Sequence, residues 1–310
     1  RQGLTMPYGC KDGACGACKG HVQSGSVDHG KAQPHALKDD EKAAGMALYC
    51  CAKPQTDLVI ECKQITSGSQ IPVKTLPARI EKLERLAPDV IELQLRLPAS
   101  ERLQFLAGQY IDILLKDGRK RSFSLANAPH DDALLQLHIR RVPGGLFTDQ
   151  VFSTMKARDI LRFNGPHGSF YLREDSTKPM ILLAGGTGFA PIKAIVEHAM
   201  AENCPRPMFI YWGAKAKADL YMDRLPAQWA ATHSHIRYVP VLSEPAADDA
   251  WSGRTGFVHQ AVLADFPDLS GHQVYACGAP AMIEAAKRDF MARGLPEEEY
   301  FADAFSFASN

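Results

Sequence analysis

Four cysteines near the start of the chain have the type and spacing of metal ligands. They are Cys10, Cys15, Cys18 and Cys50, a C-x4-C-x2-C run followed by 31 residues and a fourth cysteine. Three thiolates from one short loop can surround one side of a compact cluster, and a distant fourth closes it. Because [2Fe–2S] clusters are bound by this spacing, the sequence predicts a centre that moves one electron at a time.

The loop that carries three of these thiols is rich in small residues. Its sequence is Gly9-Cys10-Lys11-Asp12-Gly13-Ala14-Cys15-Gly16-Ala17-Cys18. Glycine lets a backbone curl tightly, so we expect backbone N–H groups to approach the sulfurs. Such hydrogen bonds tune the potential of a cluster.

The fourth ligand position has two candidates, because Cys50 and Cys51 are adjacent. The run Leu48-Tyr49-Cys50-Cys51-Ala52 resembles the L-x-C-Q-A of plant-type ferredoxins, which implies that Cys50 is the ligand and Cys51 takes the place of the glutamine. A four-cysteine zinc site and a disulfide pair are the alternatives. Zinc sites usually pair two C-x-x-C knuckles, and this chain has one such pair.

A ferredoxin-like α+β domain of the β-grasp kind is therefore expected over residues 1–68. Arg1-Gln2-Gly3-Leu4 resembles the end of a helix that leads into the cluster loop. A complete domain of that type needs strands before this helix, so we expect the N-terminus to be truncated. Ser67-Gly68-Ser69-Gln70 is a plausible linker to the next domain.

Composition limits the class of protein. With 310 residues the chain can form two or three domains, and 45% hydrophobic and 23% charged residues are typical of a globular protein. Positive and negative side chains balance at 35 each, so no basic field attracts nucleic acid. The longest apolar run, Met180–Ala184, is too short to span a membrane. Eight cysteines, four of them assigned to iron, predict a reducing, cytoplasmic location, and we expect a monomer.

Two further domains follow from the pattern of strands and helices. Over residues 73–175, alternating runs such as Val90–Leu97 and the hairpin signal Lys116–Arg119 predict a small antiparallel β-barrel. Over residues 176–310, the buried strand Met180–Ala184 and the helix Ala281–Arg293 predict an α/β domain with a parallel sheet. Ligands of such sheets bind at the carboxyl ends of the strands.

The barrel carries the run Arg121-Ser122-Phe123-Ser124-Leu125. Placed before an α/β domain, it resembles the flavin motif R-x-[YF]-S of the ferredoxin–NADP reductase superfamily. The resemblance implies that Arg121 contacts a flavin phosphate, that Phe123 packs on the isoalloxazine ring, and that Ser124 hydrogen-bonds near N5. A guanidinium suits phosphate, and an aromatic face suits a flat ring.

A second flavin motif of that superfamily, G-x-x-[ST], resembles the stretch at residues 144–148. Gly144, Gly145 and Leu146 would bring backbone N–H groups to a pyrophosphate, and Thr148 would add a hydroxyl. The two motifs together favour FAD over FMN. Gly165-Pro166-His167-Gly168 resembles another stretch near the flavin, where His167 is either a proton donor or an ordinary loop residue.

The α/β domain carries two motifs of the same superfamily. Its G-G-T-G turn consists of Gly185, Gly186, Thr187 and Gly188. A glycine turn at a helix N-terminus accepts the phosphate or nicotinamide portion of a nucleotide, and the resemblance places Thr187 near the nicotinamide. The C-G-x-P motif consists of Cys277, Gly278, Ala279 and Pro280, and it implies that Cys277 lies where nicotinamide meets flavin.

Two features near the nucleotide are less specific. In relatives the C-terminal tail lies beside the flavin, so Phe305 either covers the flavin face or packs in the core. Lys215 and Lys217 could meet a 2′-phosphate, but no arginine is placed for a bidentate grip, so the sequence leans to NADH over NADPH.

The resemblance covers the whole chain and implies a function. The domain order is similar to that of reductase components of aromatic-ring oxygenases and of a deoxysugar dehydrase. It implies that NAD(P)H gives a hydride to FAD, that a [2Fe–2S] cluster takes single electrons, and that a protein partner receives them. Ser124, Cys277 and Thr187 are then the residues at the reacting atoms. A free flavin reductase and a redox-sensing nucleotide-binding module are the alternatives.

Overall fold

The computed structural model describes residues 4–62, 66–67 and 71–305. Most of the predicted linker, residues 68–70, and residues 1–3 of the predicted helix end lie outside this range. Leu4 begins a short strand that pairs with Ser67, so the prediction that Leu4 belongs to a helix is wrong. Within the described residues, no helix is both long and apolar enough to cross a bilayer.

The first domain contains short strands and one helix around the cluster loop. The elements are β1 (Leu4–Thr5), β2 (Lys19–Ser24), β3 (Val27–Asp28), α1 (Asp39–Ala43), β4 (Met46–Leu48), β5 (Lys53–Pro54), β6 (Val59–Glu61) and β7 (Thr66–Ser67). Strand β2 lies between β4 and β6, β1 pairs with β7, and β3 pairs with β5. A small core that includes Cys18, Leu37 and Leu48 lies behind the cluster loop.

The second domain is the predicted antiparallel barrel. Its elements are β8 (Lys74–Ala87), β9 (Val90–Arg96), β10 (Tyr110–Leu114), β11 (Lys120–Ser124), β12 (Leu135–Arg140), α2 (Leu146–Ser153) and β13 (Ile160–His167). The strand order is β11-β10-β13-β8-β9-β12. The two outer strands meet just beyond β11, where Leu125 bridges Leu137 and the Ala126 N–H donates to Gln136 O at 2.8 Å. This contact closes the sheet around a hydrophobic core.

The third domain is the predicted α/β unit with a parallel sheet. Its elements are β14 (Met180–Gly185), α3 (Phe189–Ala201), β15 (Met208–Ala214), α4 (Arg224–Thr232), β16 (Ile236–Leu242), β17 (Arg254–Thr255), α5 (Val258–Asp265), β18 (Gln273–Gly278), α6 (Pro280–Met291) and β19 (Tyr300–Ala304). The order is β17-β16-β15-β14-β18-β19. Strands β14 and β18 are buried almost throughout, because helices cover both faces of the sheet centre.

Polar contacts fix the barrel to the nucleotide domain. The buried Lys193 of α3 donates to Ala126 O at 3.1 Å and to Gln136 Oε1 at 3.3 Å, both in the barrel. His138 of β12 lies 3.0 Å from the hydroxyl of Tyr221, measured from its Nδ1. These contacts hold the two domains in one arrangement. We call the border between them, where Ser124, Cys277 and Asp303 lie, the crevice.

Candidate active site and cluster site

The cluster loop curls around its thiols as its glycines predict. Gly13 and Gly16 have φ angles of +72° and +73°, which L-residues with side chains rarely adopt. The N–H groups of Asp12 and Ala14 donate to Cys10 Sγ at 3.3 and 3.4 Å, and the Cys10 N–H donates to Cys15 Sγ at 3.3 Å. The backbone thus stabilises negative charge on these sulfurs.

The four predicted ligands form two thiol pairs. Cys10 and Cys15 are within hydrogen-bonding reach of each other, as are Cys18 and Cys50. The hydrogen bond from Cys15 lowers the pKa of Cys10 to about 5, and the one from Cys18 lowers the pKa of Cys50 to about 6. In the same two bonds the pKa values of Cys15 and Cys18 are raised, with burial adding to the effect.

This arrangement fits a two-iron cluster. Two iron atoms need two pairs of thiolates, and one thiol of each pair is already acidic. Among the described residues, no three Cys, His, Asp or Glu side chains converge as the ligands of a single metal ion. All eight cysteines are free thiols. The free thiols do not support the disulfide alternative, and the described residues offer no single-ion site for zinc.

Cys51 differs from its neighbour Cys50. Burial raises the pKa of the Cys51 thiol to about 11, and the charge on Cys50 adds to the effect. Its Sγ lies 3.6 Å from both His29 O and Leu48 O, as a neutral thiol donor would. Cys51 is therefore held protonated at neutral pH, whereas Cys50 is poised to ionise.

Strand β11 carries the first predicted flavin motif, residues 121–124. Phe123 is half-buried and packs on Phe147, with ring centroids 5.3 Å apart. Arg121 is half-buried, and its Nη1 donates to Lys120 O at 2.9 Å. Ser122 donates through Oγ to Asp112 Oδ1 at 2.5 Å.

The second predicted flavin motif forms the turn before α2. Gly144 has φ +76°, Gly145 is the N-cap residue, and Leu146 begins the helix. The first N–H groups of a helix lack intrahelical partners and favour anions. The Thr148 hydroxyl is used inside the turn, where it accepts from the Val142 N–H and donates to Val142 O, each at 3.1 Å. Thr148 therefore holds the shape of the turn that the sequence predicts to bind a pyrophosphate.

The glycine turn of the nucleotide domain lies against the C-G-x-P motif that begins at Cys277. Gly186, Thr187 and Gly188 form a single 3-10 turn after β14. A Cβ on Gly188 would overlap the Cys277 carbonyl oxygen, so only glycine allows this close approach. The chain after Cys277 turns at Gly278, φ +150°.

Cys277 is fully buried at the end of β18. Burial raises its pKa well above the ordinary value, with the charge on Asp303 adding to the effect. Pro280 occupies the first turn of α6, where a missing N–H costs nothing. Cys277 is therefore a neutral thiol placed at the carboxyl edge of the sheet, where α/β ligands bind.

Asp303 connects the two predicted motifs, and sequence reasoning missed it. It is the register partner of Cys277 in the β18–β19 pair, and the Ser124 hydroxyl donates to its Oδ2 at 3.3 Å. Burial raises the pKa of Asp303 to about 6, against the lowering effect of the Ser124 hydrogen bond. Ser124 of the barrel and Cys277 of the nucleotide domain thus meet at one carboxyl group.

Phe305 follows directly after this point. Its backbone N–H donates to Gly278 O at 2.8 Å, and its half-buried side chain packs beside the large core of the nucleotide domain. The position is close to the crevice and also in contact with the core, so both roles considered for Phe305 remain compatible with its location.

A second missed residue is Arg140, at the end of β12. Its guanidinium lies beside Gly186, 3.8 Å from the position a Cβ would take there. Asp89 and Asp219 lie at 3.4 and 3.8 Å, yet its buried Nε and Nη2 have no hydrogen-bond partner among the described residues. Arg140 therefore brings a positive charge and two shielded N–H groups without hydrogen bonds to the side of Gly186, chemistry that suits a phosphate.

The cluster loop itself reaches the crevice. The buried Tyr110 hydroxyl donates to Gly9 O at 2.6 Å, and Tyr110 is the cross-strand partner of Ser124. The Tyr8 N–H donates to Ser169 Oγ at 2.9 Å. Residues adjoining the first cluster ligand, Cys10, are thus one strand away from the predicted hydride site.

Family models match all three domains in this order. A 2Fe-2S iron-sulfur cluster binding domain matches residues 1–55, an oxidoreductase FAD-binding domain matches residues 77–171, and an oxidoreductase NAD-binding domain matches residues 182–288. The CDP-6-deoxy-L-threo-D-glycero-4-hexulose-3-dehydrase reductase of Yersinia pestis is 45% identical over 97% of this chain and 90% of its own length. The chain belongs to the family of [2Fe–2S] flavoprotein reductases.

Two other relatives agree with that assignment. The reductase subunit of an aromatic O-demethylase from an Amycolatopsis species is 38% identical over all of this chain and 92% of its own length. The crystal structure of the Amycolatopsis cytochrome P450 reductase GcoB aligns with a TM-score of 0.81, at 37% identity, over 99% of this chain and 92% of that one.

The family confirms the predicted fold class, cofactors and reaction. The chain is an NAD(P)H-dependent oxidoreductase that binds FAD and a [2Fe–2S] cluster and transfers electrons from the nucleotide to a partner. When bound, the flavin accepts a hydride and the cluster carries single electrons; the protein supplies binding, orientation and electrostatics.

Proposed function

We propose that this chain is the NADH-dependent reductase component of a two-protein system and that Ser124, Cys277 and Asp303 mark its hydride site. One observation carries the proposal: all three domains meet at this point, with Gly9 of the cluster loop held by Tyr110 next to Ser124. A hydride acceptor bound there would lie beside the cluster loop.

The thiol pairs assign the cluster ligands in this proposal. Cys10 and Cys15 would bind one iron, and Cys18 and Cys50 the other, because these are the pairs in mutual contact. Cys51 would stay protonated beside them. Backbone N–H groups that already point at Cys10 and Cys15 would favour the reduced, more negative cluster.

Several of the predicted flavin and nucleotide residues would each have a task in the crevice. Phe123 offers its ring to the flavin, and Arg121 and the first turn of α2 offer positive charge to its phosphates. Ser124 can donate or accept at N5, and Asp303 fixes which it does by accepting the hydroxyl proton. Gly188 lets the glycine turn lie directly against Cys277, and the neutral Cys277 thiol places no charge against a flat nicotinamide.

The preference for NADH is argued from the end of the parallel sheet. Lys217 donates through Nζ to Asp249 O at 3.3 Å, and the exposed Lys215 Nζ lies 3.7 Å from Glu244 Oε1. Both lysines offered by the sequence thus already have partners. An acidic side chain at a strand end of this kind hydrogen-bonds a ribose 2′-hydroxyl and repels a 2′-phosphate, so we assign Glu244 to the adenosine ribose of NADH.

The partner is proposed from the relative with the highest identity given above. That Yersinia pestis protein is named as the reductase of a deoxyhexulose dehydrase, so we propose a dehydrase component as the electron acceptor and an oxygenase component as the second choice. We further propose domain limits of 1–68, 73–175 and 176–310, a monomeric state and a cytoplasmic location, the last supported by eight free thiols.

The Cys15→Ser variant tests the proposed route. NADH-driven reduction of ferricyanide, which takes electrons directly from flavin, should persist. Reduction of cytochrome c, which we expect to need the cluster, should be abolished. Survival of both activities would show that electrons do not leave through the cluster.

A further inference from the structure

His167 links the cluster loop to the flavin barrel. The Lys11 ammonium, one residue after the ligand Cys10, donates to His167 Nδ1 at 3.2 Å. His167 Nε2 lies 2.8 Å from Asn164 Oδ1. The Lys11 ammonium also lies 4.4 Å from the centre of the Tyr8 ring. Lys11, on one side of Gly9, therefore contacts both the barrel and Tyr8 on the other side.

The partners of His167 fix its protonation. An ammonium group only donates hydrogen bonds, so Nδ1 must be the unprotonated acceptor and Nε2–H must donate to Asn164. Burial lowers the pKa of His167 to about 4, the charge of Lys11 adds to this, and Asp112 opposes it. The ring is therefore neutral at neutral pH and its one N–H is used on Asn164, so the proton-donor role considered for His167 is not supported.

The contacts continue to the flavin strand. Asp112, with a side chain 3% exposed, lies 3.7 Å from His167 Nε2. It accepts from Lys120 Nζ at 2.7 Å and from Ser122 Oγ at 2.5 Å. Lys120 and Ser122 belong to β11, the strand that carries the flavin motif. A continuous polar chain therefore runs from the cluster loop to the flavin-binding strand.

We propose that His167 is a positioning residue that, through Lys11, fixes the cluster loop against the flavin strand and so sets the rate of electron transfer from flavin to cluster. The proposal rests on the proposed function. The step moves one electron to one ferric iron and forms or breaks no bond. Since electron transfer slows steeply with separation, a loosened loop slows this step and leaves the hydride step alone.

Three variants test the link in the complete, cofactor-loaded protein. His167→Phe keeps an aromatic ring but removes both hydrogen bonds, whereas His167→Gln keeps one acceptor and one donor. Tyr110→Phe removes the other tie, the hydroxyl on Gly9, with little change of shape. His130→Phe is the matched control, since His130 is exposed in the same domain.

Anaerobic stopped-flow mixing with NADH separates the two steps, flavin bleaching first and cluster reduction second. His167→Phe and Tyr110→Phe should slow cluster reduction by about tenfold, because losing a hydrogen bond to a charged or buried partner lowers the population of the docked loop by about that factor. Flavin bleaching should be unchanged in both variants. His167→Gln should restore the rate of cluster reduction, and His130→Phe should match the wild type in both steps. The midpoint potential and EPR spectrum of the cluster should not move.

Four results would overturn the proposal. In His167→Phe, the first is equal slowing of flavin bleaching and cluster reduction, and the second is an unchanged rate of cluster reduction. The third is failure of His167→Gln to restore the rate of cluster reduction. The fourth is a shift in the midpoint potential of the cluster large enough to explain the slowing. If NADH never reduces the cluster of the wild type, the proposed function fails, and this proposal fails with it.

Discussion

The cluster loop and the hydride crevice hold cysteines in opposite states. At the cluster site, a hydrogen bond from Cys15 lowers the pKa of Cys10 to about 5, and one from Cys18 lowers the pKa of Cys50 to about 6. In the crevice, burial raises the pKa of Cys277 well above its ordinary value. A metal needs thiolates, whereas a flat nicotinamide needs an uncharged surface. In the proposed assignment the same side chain serves two purposes, because its surroundings differ.

The largest effect should come from replacing Cys50, and its neighbour Cys51 provides the comparison. Cys50→Ser removes an acidic thiol of one pair, so the purified protein should lose its iron and its cluster absorbance. Cys51→Ser removes a thiol that stays protonated, so iron content should match the wild type. Iron analysis and visible spectra measure both. Loss of the cluster in Cys51→Ser with retention in Cys50→Ser would reverse the ligand assignment.

On the crevice side, the buried carboxyl of Asp303 should make stability depend on pH. Its folded pKa of about 6 lies above the ordinary 3.8, so its contribution to stability is full below about pH 3.8 and is lost as pH rises through 6. At pH 7, Asp303→Asn should be more stable than wild type by up to about 3 kcal/mol, at about 1.4 kcal/mol per pKa unit.

Urea unfolding at pH 5, 6 and 7 measures this effect. The gain in Asp303→Asn should shrink as pH falls, and Asp57→Asn, a change at an exposed carboxyl, serves as the control. A gain that grows on acidification would contradict the raised pKa.

The close approach of Gly188 to Cys277 should also be visible in stability. A methyl group at Gly188 overlaps a backbone oxygen, so Gly188→Ala should destabilise the protein by about 1–3 kcal/mol and weaken NADH binding. Gly271→Ala is the matched control, because nothing lies within 4 Å of a Cβ there. Equal melting temperatures for the two variants would show that the crevice can relax.

The smallest effect is expected at the exposed rim of the crevice. Glu244→Ala removes the proposed acceptor for the ribose hydroxyl, so the ratio of kcat/KM for NADPH to that for NADH should rise about tenfold. Glu202→Ala, at the exposed end of α3, should leave the ratio unchanged. A ratio unaffected by Glu244→Ala would remove this residue from nucleotide selection.

The two regions also differ in how far the sequence predicts them. Three cluster thiols share one loop of nine residues, Cys10–Cys18, so their spacing alone carries the chemistry. The glycine turns are equally local. The crevice depends on contacts between distant residues: Ser124 and Asp303 are 179 positions apart, and Lys11 and His167 are 156 apart. No local pattern identifies Asp303, Arg140 or Tyr110, because their roles arise only when three domains pack together.

The central claim is that electrons cross from the crevice to the cluster loop inside this chain. One anaerobic stopped-flow experiment with NADH, followed at flavin and cluster wavelengths, tests it most directly. Flavin bleaching should come first, and cluster reduction should follow at a rate independent of protein concentration. Cluster reduction that precedes flavin bleaching, or that accelerates with protein concentration, would contradict it.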